Sequence, residues 1–270
     1  RVAVQRIQGK VIEIRDIALK SLLSKGLTYI EGEAELIDEK VVKVGNRRLA
    51  AQYVILACGS RPREVGISPE DILRGWVIPK SSVCVVGGGA TGCELAFILC
   101  SFGFKVFLVR RDTVLKGYEN IPEEFAQKLE DELERCGVRL VEDLKDANAD
   151  LIIKATGRVP NFCQERFPFV AVDEWGYVKV DEFLETSLEG VFAVGDIVPP
   201  MGAGYAFEKA RVVVHNILYG KEKIFEPKRV PVIFSSAYQI GFVGSVKDAK
   251  VFATKPLSIN PKAYVAEKNG

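Results

Sequence analysis

Hydrophobic and polar residues follow each other in blocks along the chain, and the blocks predict a mixed α/β fold. Between residues 82 and 154, short apolar runs typical of buried strands alternate with longer segments of helical character. The first three blocks are SVCVVGGG, ATGCELAFILCSFG and KVFLV. Strands and helices in this order predict a parallel sheet that is covered by helices.

The segments on both sides of this region contain more short strands. Residues 16–26 predict a short helix with Asp16 as its N-cap. Short strands are predicted next, with a turn at Gly45 between two of them. After residue 190 a strand and a long helix are predicted, and the tail from Pro231 begins as another β-rich unit.

A glycine-rich turn follows the first strand of the alternating region and has the pattern GxGxxG. The first glycine permits the tight turn, the second lets the backbone approach a pyrophosphate, and the third lets the helix pack on the strand. The free N–H groups at the start of the helix favour the negative charge of the phosphates. The pattern predicts a dinucleotide site, whereas the alternative is a glycine-rich connector without a ligand. The residues of this site are Gly87, Gly88, Gly89, Ala90, Thr91 and Gly92.

The end of the next strand carries positive charge. Sites for NAD usually have an Asp or Glu there, which binds the ribose hydroxyls, but this chain has Arg110 and Arg111, with Lys116 soon after. Guanidinium groups bind phosphate in a bidentate manner, so these cations predict NADP rather than NAD. The alternative is a solvated, charged loop.

The overall composition excludes some classes of partner. The chain has 270 residues, 37 of them Lys or Arg and 36 Asp or Glu, with a formal net charge of +1. Because neither sign is in excess, we expect no nucleic acid and no membrane partner. The sequence has no long apolar run and no signal peptide at its start, so we expect a cytoplasmic protein.

Cysteine and histidine give no sign of a metal site. The six cysteines are scattered without a CxxC motif, so we expect reduced thiols in the core, with neither disulfides nor a bound metal. The single histidine, His215, lies in the predicted long helix, where we expect it to have a structural role.

Three further stretches carry a family resemblance when they are taken together with the glycine-rich turn. ILACGSRP, IIKATGRVPN and EGVFAVGDI each place a hydrophobic strand before a turn of small residues, and they occur in this order around GGGATGCE. The chain thereby resembles the pyridine nucleotide-disulfide oxidoreductases, which include dihydrolipoamide dehydrogenase, glutathione reductase and mercuric reductase. The resemblance covers nearly the whole chain. It implies a homodimeric flavoprotein that passes hydride from NAD(P)H to FAD and then to a redox-active cysteine pair.

The resemblance also implies a domain organisation, with a Rossmann-like domain inserted into an FAD-binding domain. The expected parts are a partial FAD-binding domain at 1–79, an NAD(P)-binding domain at 80–157, a returning FAD-binding segment at 158–225 and a truncated α+β interface domain at 226–270.

Several residues acquire roles through the resemblance. Glu94 resembles the glutamate that lies near flavin and nicotinamide, and it is the expected catalytic residue. Gly157 and Arg158 resemble a turn beside the nicotinamide nucleotide. Ala34 resembles a backbone contact to the adenine of FAD.

The remaining expected residues belong to the flavin site. The carboxylate of Asp196, after Gly195, resembles the acceptor of a ribityl hydroxyl. A turn near the flavin ring is expected at the start of the long helix, whose N-terminus favours electron density on the ring. The residues of this turn are Gly202, Ala203, Gly204 and Tyr205. The residues that correspond to the ATG flavin contact are Cys58, Gly59 and Ser60, with Cys in place of Thr.

The sequence also departs from the family. It contains no first GxGxxG for the ADP half of FAD, no cysteines separated by four residues and no histidine near the C-terminus. Three functions therefore stay open: part of an NADPH:flavin disulfide reductase, an NADP(H)-binding module without flavin, or a flavin-dependent NAD(P)H oxidase or reductase of ferredoxin or quinone. We also expect an incomplete interface domain to expose apolar residues such as Phe234, Ile240 and Phe242.

Overall fold

A four-stranded parallel sheet forms the centre of the part that contains the glycine-rich turn. The computed structural model describes residues 2–118, 121–237 and 239–244. The strands lie in the order Arg139–Val141, Lys105–Val109, Ser82–Val86 and Leu151–Lys154, and Ser82–Val86 pairs in parallel register with the strand on each side. The α/β fold predicted from the alternating blocks is confirmed. The elements are β6 (Ser82–Val86), α3 (Ala90–Ser101), β7 (Lys105–Val109), α4 (Glu123–Arg135), β8 (Arg139–Val141) and β9 (Leu151–Lys154).

The central strands are hydrophobic on both faces because both faces are covered. Val83, Cys84 and Val85 of β6 are completely buried, and so are Val106 and Leu108 of β7. Buried parallel strands have this continuous apolar character. Because β7 and β9 lie on opposite sides of β6, the chain changes direction in the sheet beside β6, and ligands bind at such points beyond the carboxyl ends of the strands.

The rest of the chain forms a second core of short strands and one long helix. Strand β4 pairs in parallel with β11, and β5 pairs antiparallel with β10. These pairs join segments from before and after the four-stranded sheet. The elements are β1 (Ala34–Asp38), β2 (Val41–Val44), β3 (Arg47–Ala50), β4 (Val54–Leu56), β5 (Ser60–Pro62), β10 (Arg158–Pro160), β11 (Val191–Ala193) and α5 (Ala203–Tyr219). The short helix α2 (Pro69–Leu73) packs instead on the core of the parallel sheet through Ile72.

The first helix differs from the sequence prediction. Helix α1 spans Val2–Ser24, so the predicted start at Asp16 was wrong, and this residue lies inside the helix. The segment before Asp16 has no proline, and its single glycine, Gly9, did not interrupt the helix. Apolar side chains of α1 such as Ile14 and Ile17 are exposed.

The tail forms a hairpin that packs on the core of the parallel sheet. Strands β12 (Val232–Ser235) and β13 (Gln239–Phe242) are antiparallel. Ile240 and Phe242 are partly buried against the core of the parallel sheet, so the expectation that they would be exposed was wrong. The side chain of Phe234 lies outside the described residues. Helix α3 supplies the apolar surface that covers the hairpin.

Candidate functional site

The glycine-rich turn is held so tightly that two of its glycines cannot carry a side chain. Gly87 has φ +123, and a Cβ atom on it would strike the carbonyl oxygen of Ala155. A Cβ atom on Gly92 would overlap the carbonyl oxygen of Gly87. These contacts bring α3 close to the turn at the end of β6, which is the packing role that the sequence predicted for the third glycine.

Gly89 is a glycine for a different reason. It is the N-cap of α3, has an ordinary φ of −76, and an added Cβ would have no protein atom within 4 Å. The space that a side chain would occupy belongs to an open cleft. Because no side chain caps α3, its first N–H groups are available to an anion in that cleft.

The cleft has a volume of about 790 Å³ and extends from the glycine-rich turn to the start of α5. It therefore connects the predicted nucleotide site with part of the predicted flavin site. The predicted residues that line it are Gly87, Gly88, Gly89, Ala90, Thr91, Arg110, Arg111, Lys116, Gly157, Arg158, Asp196 and Gly202.

The three cations at the end of β7 are in different situations. The Nε atom of Arg110 lies 2.9 Å from Glu130 Oε1, and this buried carboxylate also accepts a hydrogen bond from the backbone N–H of Val114. Lys116 forms an ion pair with Asp112. Arg111 is exposed at the rim of the cleft. Arg110 thus contributes to the shape of the loop, and Arg111 is the cation best placed to meet a phosphate.

The cleft also has charged lining residues that the sequence reasoning missed. Arg63 and Glu64 line it from the segment after β5. The guanidinium of Arg63 lies 3.7 Å from the position of a Cβ atom on Gly157. Hydrogen bonds from Lys154 and Thr156 lower the pKa of Glu64, and the charge of Arg111 lowers it further. No local motif marks this segment, because only the folded chain brings it across the end of the sheet.

Four of the predicted residues form one hydrogen-bonded network at the end of the cleft where α5 starts. Asp196 accepts hydrogen bonds from Ser60 Oγ (2.6 Å) and from the backbone N–H of Gly202 (2.9 Å). The Nε atom of Arg158 donates to Ser60 Oγ at 2.7 Å, and Arg158 also forms an ion pair with Glu70. Burial raises the pKa of Glu70, but the Arg158 pair outweighs burial, and the net pKa lies below its usual value.

A buried lysine holds the loop that carries Asp196, and sequence reasoning missed it as well. The ammonium group of Lys209 donates to the carbonyl oxygens of Gly195 (3.1 Å) and Pro200 (2.7 Å), and to that of Val198. The side chain is completely buried. Burial lowers the pKa of Lys209 to about 8, although the charge of Asp196 opposes this shift.

The other predicted flavin residues lie in the turns around this network. The turn of Cys58, Gly59 and Ser60 connects β4 and β5, and Gly59 has φ +72. Burial raises the pKa of the Cys58 thiol. Gly195 has φ +73 in the turn that carries Asp196. The residues Gly202, Ala203, Gly204 and Tyr205 form the N-cap and first turn of α5.

Glu94 and Ala34 are also absent from the lining of this cleft. Glu94 on α3 accepts a hydrogen bond from the backbone N–H of Ser235 at 2.8 Å, so it contacts the tail hairpin. Its catalytic role stays a prediction. Ala34 begins β1 beside a second cavity of about 660 Å³, which residues 29–33 and 43–47 line together with Glu35.

Two structural findings concern metal binding and membrane insertion. In the described part of the chain, His, Cys, Asp and Glu residues do not gather in groups of three that could hold a metal ion. No helix among the described residues combines the length and apolar character needed to cross a membrane.

The fold and the cleft define a protein with a Rossmann-like nucleotide-binding domain and part of a flavin-binding domain. The sequence profile of the pyridine nucleotide-disulphide oxidoreductases matches residues 5–216, and the chain belongs to this family of oxidoreductases. The resemblance stated from the sequence motifs is confirmed.

Similar proteins include glutathione reductases and dihydrolipoyl dehydrogenases. The chain is 27% identical to glutathione reductase of Nostoc sp. over 72% of its length, and this match covers 50% of the relative. It is 28% identical to dihydrolipoyl dehydrogenase of Pseudomonas aeruginosa over 92% of its length, which covers 62% of that protein. The chain thus spans about half to three fifths of these curated relatives.

Solved structures share the fold over nearly the whole chain. The flavoprotein disulfide reductase RclA from Escherichia coli matches with a TM-score of 0.81 at 20% identity, over 98% of this chain and 70% of that one. LpdA from Mycobacterium tuberculosis matches with a TM-score of 0.82 at 22% identity, over 98% and 69%.

Proposed function

We propose that this chain forms the NADPH-binding and flavin-facing part of an FAD-dependent oxidoreductase that reduces a small disulfide or another electron acceptor. The observation that carries the proposal is the single cleft in which the glycine-rich turn and the Asp196 network face the same space. When bound, the two cofactors supply hydride transfer from nicotinamide to flavin, and the protein supplies binding and orientation.

The residues of the cleft divide this work between them. The missing side chain at Gly89 leaves room for the pyrophosphate of the nucleotide, and the N–H groups at the start of α3 bind it. The carboxylate of Asp196 accepts a sugar-chain hydroxyl of FAD, and its hydrogen bonds to Ser60 and Gly202 fix its position. Arg158 holds Ser60 in turn, so the turn of Gly157 and Arg158 is connected to the turn of Cys58, Gly59 and Ser60 by direct hydrogen bonds.

The preference for NADPH is part of the proposal and rests on Arg111. Its guanidinium is exposed at the rim of the cleft, at the end of β7, where the adenosine ribose binds in this type of domain. A phosphate on that ribose would accept charge-assisted hydrogen bonds from it. We further propose that the whole protein is a cytoplasmic homodimer.

The test is an absorption spectrum of the chain purified with FAD, followed by addition of NADPH without oxygen. We expect a flavin band that bleaches on addition of NADPH. Gly89→Ala should keep the band and lose the bleaching, because the new methyl group points into the cleft and strikes no protein atom. Gly9→Ala is the matched control, since Gly9 on α1 also has no neighbour within 4 Å of an added Cβ.

The outcomes separate the alternatives. A colourless chain that still binds NADPH would contradict the flavin part and favour the nucleotide-binding module. A flavin band that NADPH does not bleach in the unsubstituted chain would contradict hydride transfer. Rapid NADPH oxidation in air, with no reduction of disulfides by the whole protein, would favour an oxidase.

A further inference from the structure

The sheet topology places two cysteines beside each other at the end of the sheet that is remote from the cleft. Helices α3 and α4 both connect parallel strands that are neighbours in the sheet, so they run in the same direction, and they contact each other. Cys100 lies in the last turn of α3, and Cys136 is the C-cap of α4. The nucleotide cleft lies at the opposite end of α3, at its N-terminus.

The two cysteines are in direct contact. The thiol of Cys100 donates a hydrogen bond to the carbonyl oxygen of Cys136, with an Sγ to O distance of 2.8 Å. The Sγ atom of Cys100 also lies 3.4 Å from the position that a Cβ atom on Gly137 would occupy. A carbonyl oxygen is about 2.4 Å from the Cα atom of its own residue, so Cys100 Sγ is at most about 5 Å from the Cα atom of Cys136. A disulfide between the two residues would need their Cα atoms about 4.4–6.8 Å apart and a rotation of the side chains that brings the two sulfur atoms together.

The two thiols differ in their exposure to solvent, and therefore in their roles. Cys136 is exposed, and Cys100 is half-buried. Burial raises the pKa of Cys100, and the neighbouring Cys136 raises it further, so Cys100 keeps its proton while Cys136 is accessible to reagents.

All six cysteines lie in the described part of the chain, and the others are in different surroundings. Cys84 and Cys93 are completely buried, with the pKa of each thiol raised by burial, to about 11 and about 12. The thiol of Cys163 donates to Glu165, and Cys58 is partly buried against the second core. The expectation of buried thiols is met by Cys84 and Cys93, whereas Cys136 is exposed.

We propose that Cys100 and Cys136 form an oxidisable dithiol, which a low-molecular-weight disulfide converts into a disulfide bond between α3 and α4. The thiolate of Cys136 attacks one sulfur of the reagent, the S–S bond breaks, and the first thiolate leaves and takes up a proton. The Cys100 sulfur then attacks the Cys136 sulfur of this mixed disulfide, and the second thiol leaves with the proton of Cys100. Two protein thiols are oxidised, and one reagent disulfide is reduced to two thiols.

The bond would connect the helix that carries the glycine-rich turn to its neighbour without entering the cleft. It would close a loop that contains β7 and α4, and so would restrict the unfolded chain. The oxidised chain should therefore unfold at a higher temperature than the reduced chain and still bind nucleotide. This inference does not depend on the proposed function.

The experiment treats the chain with oxidised glutathione, quenches it with acid, alkylates free thiols and identifies the digested peptides by mass spectrometry. We expect a peptide pair joined between Cys100 and Cys136. In the Cys100→Ser variant, the reaction with oxidised glutathione should stop at a glutathione adduct on Cys136. The serine hydroxyl can keep the hydrogen bond to the Cys136 carbonyl, but it cannot displace glutathione from the adduct. Cys136→Ser should leave Cys100 free to be alkylated.

Cys163→Ser is the matched control and should form the same joined pair, with the same rise in unfolding temperature. A stable glutathione adduct on Cys136 of the unsubstituted chain, without the joined pair, would overturn the proposal. A disulfide between the Cys136 residues of two molecules would overturn it as well.

Discussion

Single residues in the cleft have separate tasks, and their contacts show which substitutions report on binding. The Nε atom of Arg110 is held by the buried carboxylate of Glu130, so a change there would disturb the fold as well as the ligand. Arg111 is exposed at the rim, and its replacement should leave the loop in place. Arg111 is therefore the better residue for testing nucleotide preference.

Arg111→Glu should raise the dissociation constant of NADPH about 10- to 100-fold and that of NADH much less, since one charge-assisted contact to phosphate is lost and a repulsive charge is added. Titration followed by the quenching of intrinsic fluorescence gives both constants. Arg48→Glu on β3 makes the same change of charge at an exposed position outside the cleft and is the control. Equal losses for both nucleotides would contradict the 2′-phosphate assignment.

Lys209→Met should lower the free energy of unfolding at neutral pH by about 2–4 kcal/mol, because the variant leaves the carbonyl oxygens of Gly195, Val198 and Pro200 without their donor. Urea unfolding measures the loss. The variant should also bind FAD more weakly, since these carbonyls belong to the loop that positions Asp196. A variant as stable as the unsubstituted chain would show that the loop keeps its shape without the ammonium group.

The same lysine gives a pH dependence with a defined sign. Between the folded pKa of about 8 and the ordinary pKa of 10.5, the unfolded chain keeps this proton and the folded chain has released it. Stability from this group therefore rises with pH across that window. The difference in unfolding free energy between the unsubstituted chain and Lys209→Met should grow from pH 8 to pH 10. A difference that does not change with pH would mean that the pKa of Lys209 is not lowered.

At the scale of elements, the turn between β6 and α3 separates packing from binding. Gly92 is required because α3 lies against the carbonyl of Gly87, whereas Gly89 faces open space. The same glycine-to-alanine change should thus act on stability at one position and on binding at the other.

Gly92→Ala should cost about 2–3 kcal/mol of stability, because the added methyl group forces α3 away from the turn. Gly89→Ala should change stability by less than about 1 kcal/mol and should weaken nucleotide binding. Urea unfolding of the two variants, side by side, makes the comparison. The assignment fails if both lose the same stability.

At the scale of the whole molecule, the chain has two main cores. One surrounds the parallel sheet and includes residues from Ile72 to Ile153, and the other joins β4, β11 and α5. The two meet at the β5–β10 pair and at the network of Arg158, Ser60 and Asp196. A ligand that binds to one part should raise the unfolding temperature of that part more than that of the other part.

NADPH should raise the unfolding temperature of the nucleotide-binding part more than that of the flavin-facing part. The two tryptophans of the chain report on the two parts, because Trp76 follows α2, which packs on the first core, and Trp175 lies in the turn beside Val178 of the second core. Trp175→Phe and Trp76→Phe each leave one fluorescent reporter. If both reporters shift equally, the parts unfold as one unit.

The sequence by itself determined the elements whose signals are local. The alternation of strands and helices from 82 to 154 and the GxGxxG turn were predicted, because a buried parallel strand must be apolar throughout and a tight turn against a strand needs glycine. The family followed from the order of four such motifs. The start of α1 was missed, because Asp16 looked like an N-cap while the residues before it are equally compatible with a helix.

Only the tertiary structure decided which side chains meet. Lys209 gave no signal in the sequence, because a lysine on a helix is normally solvated, and only the folded loop at 195–200 turns three carbonyls towards it. The pairing of Arg110 with Glu130, the contact of Cys100 with Cys136 and the packing of the tail hairpin on α3 have the same origin. Each joins positions far apart in the chain, and such contacts depend on how elements are arranged in space, which local sequence patterns do not specify.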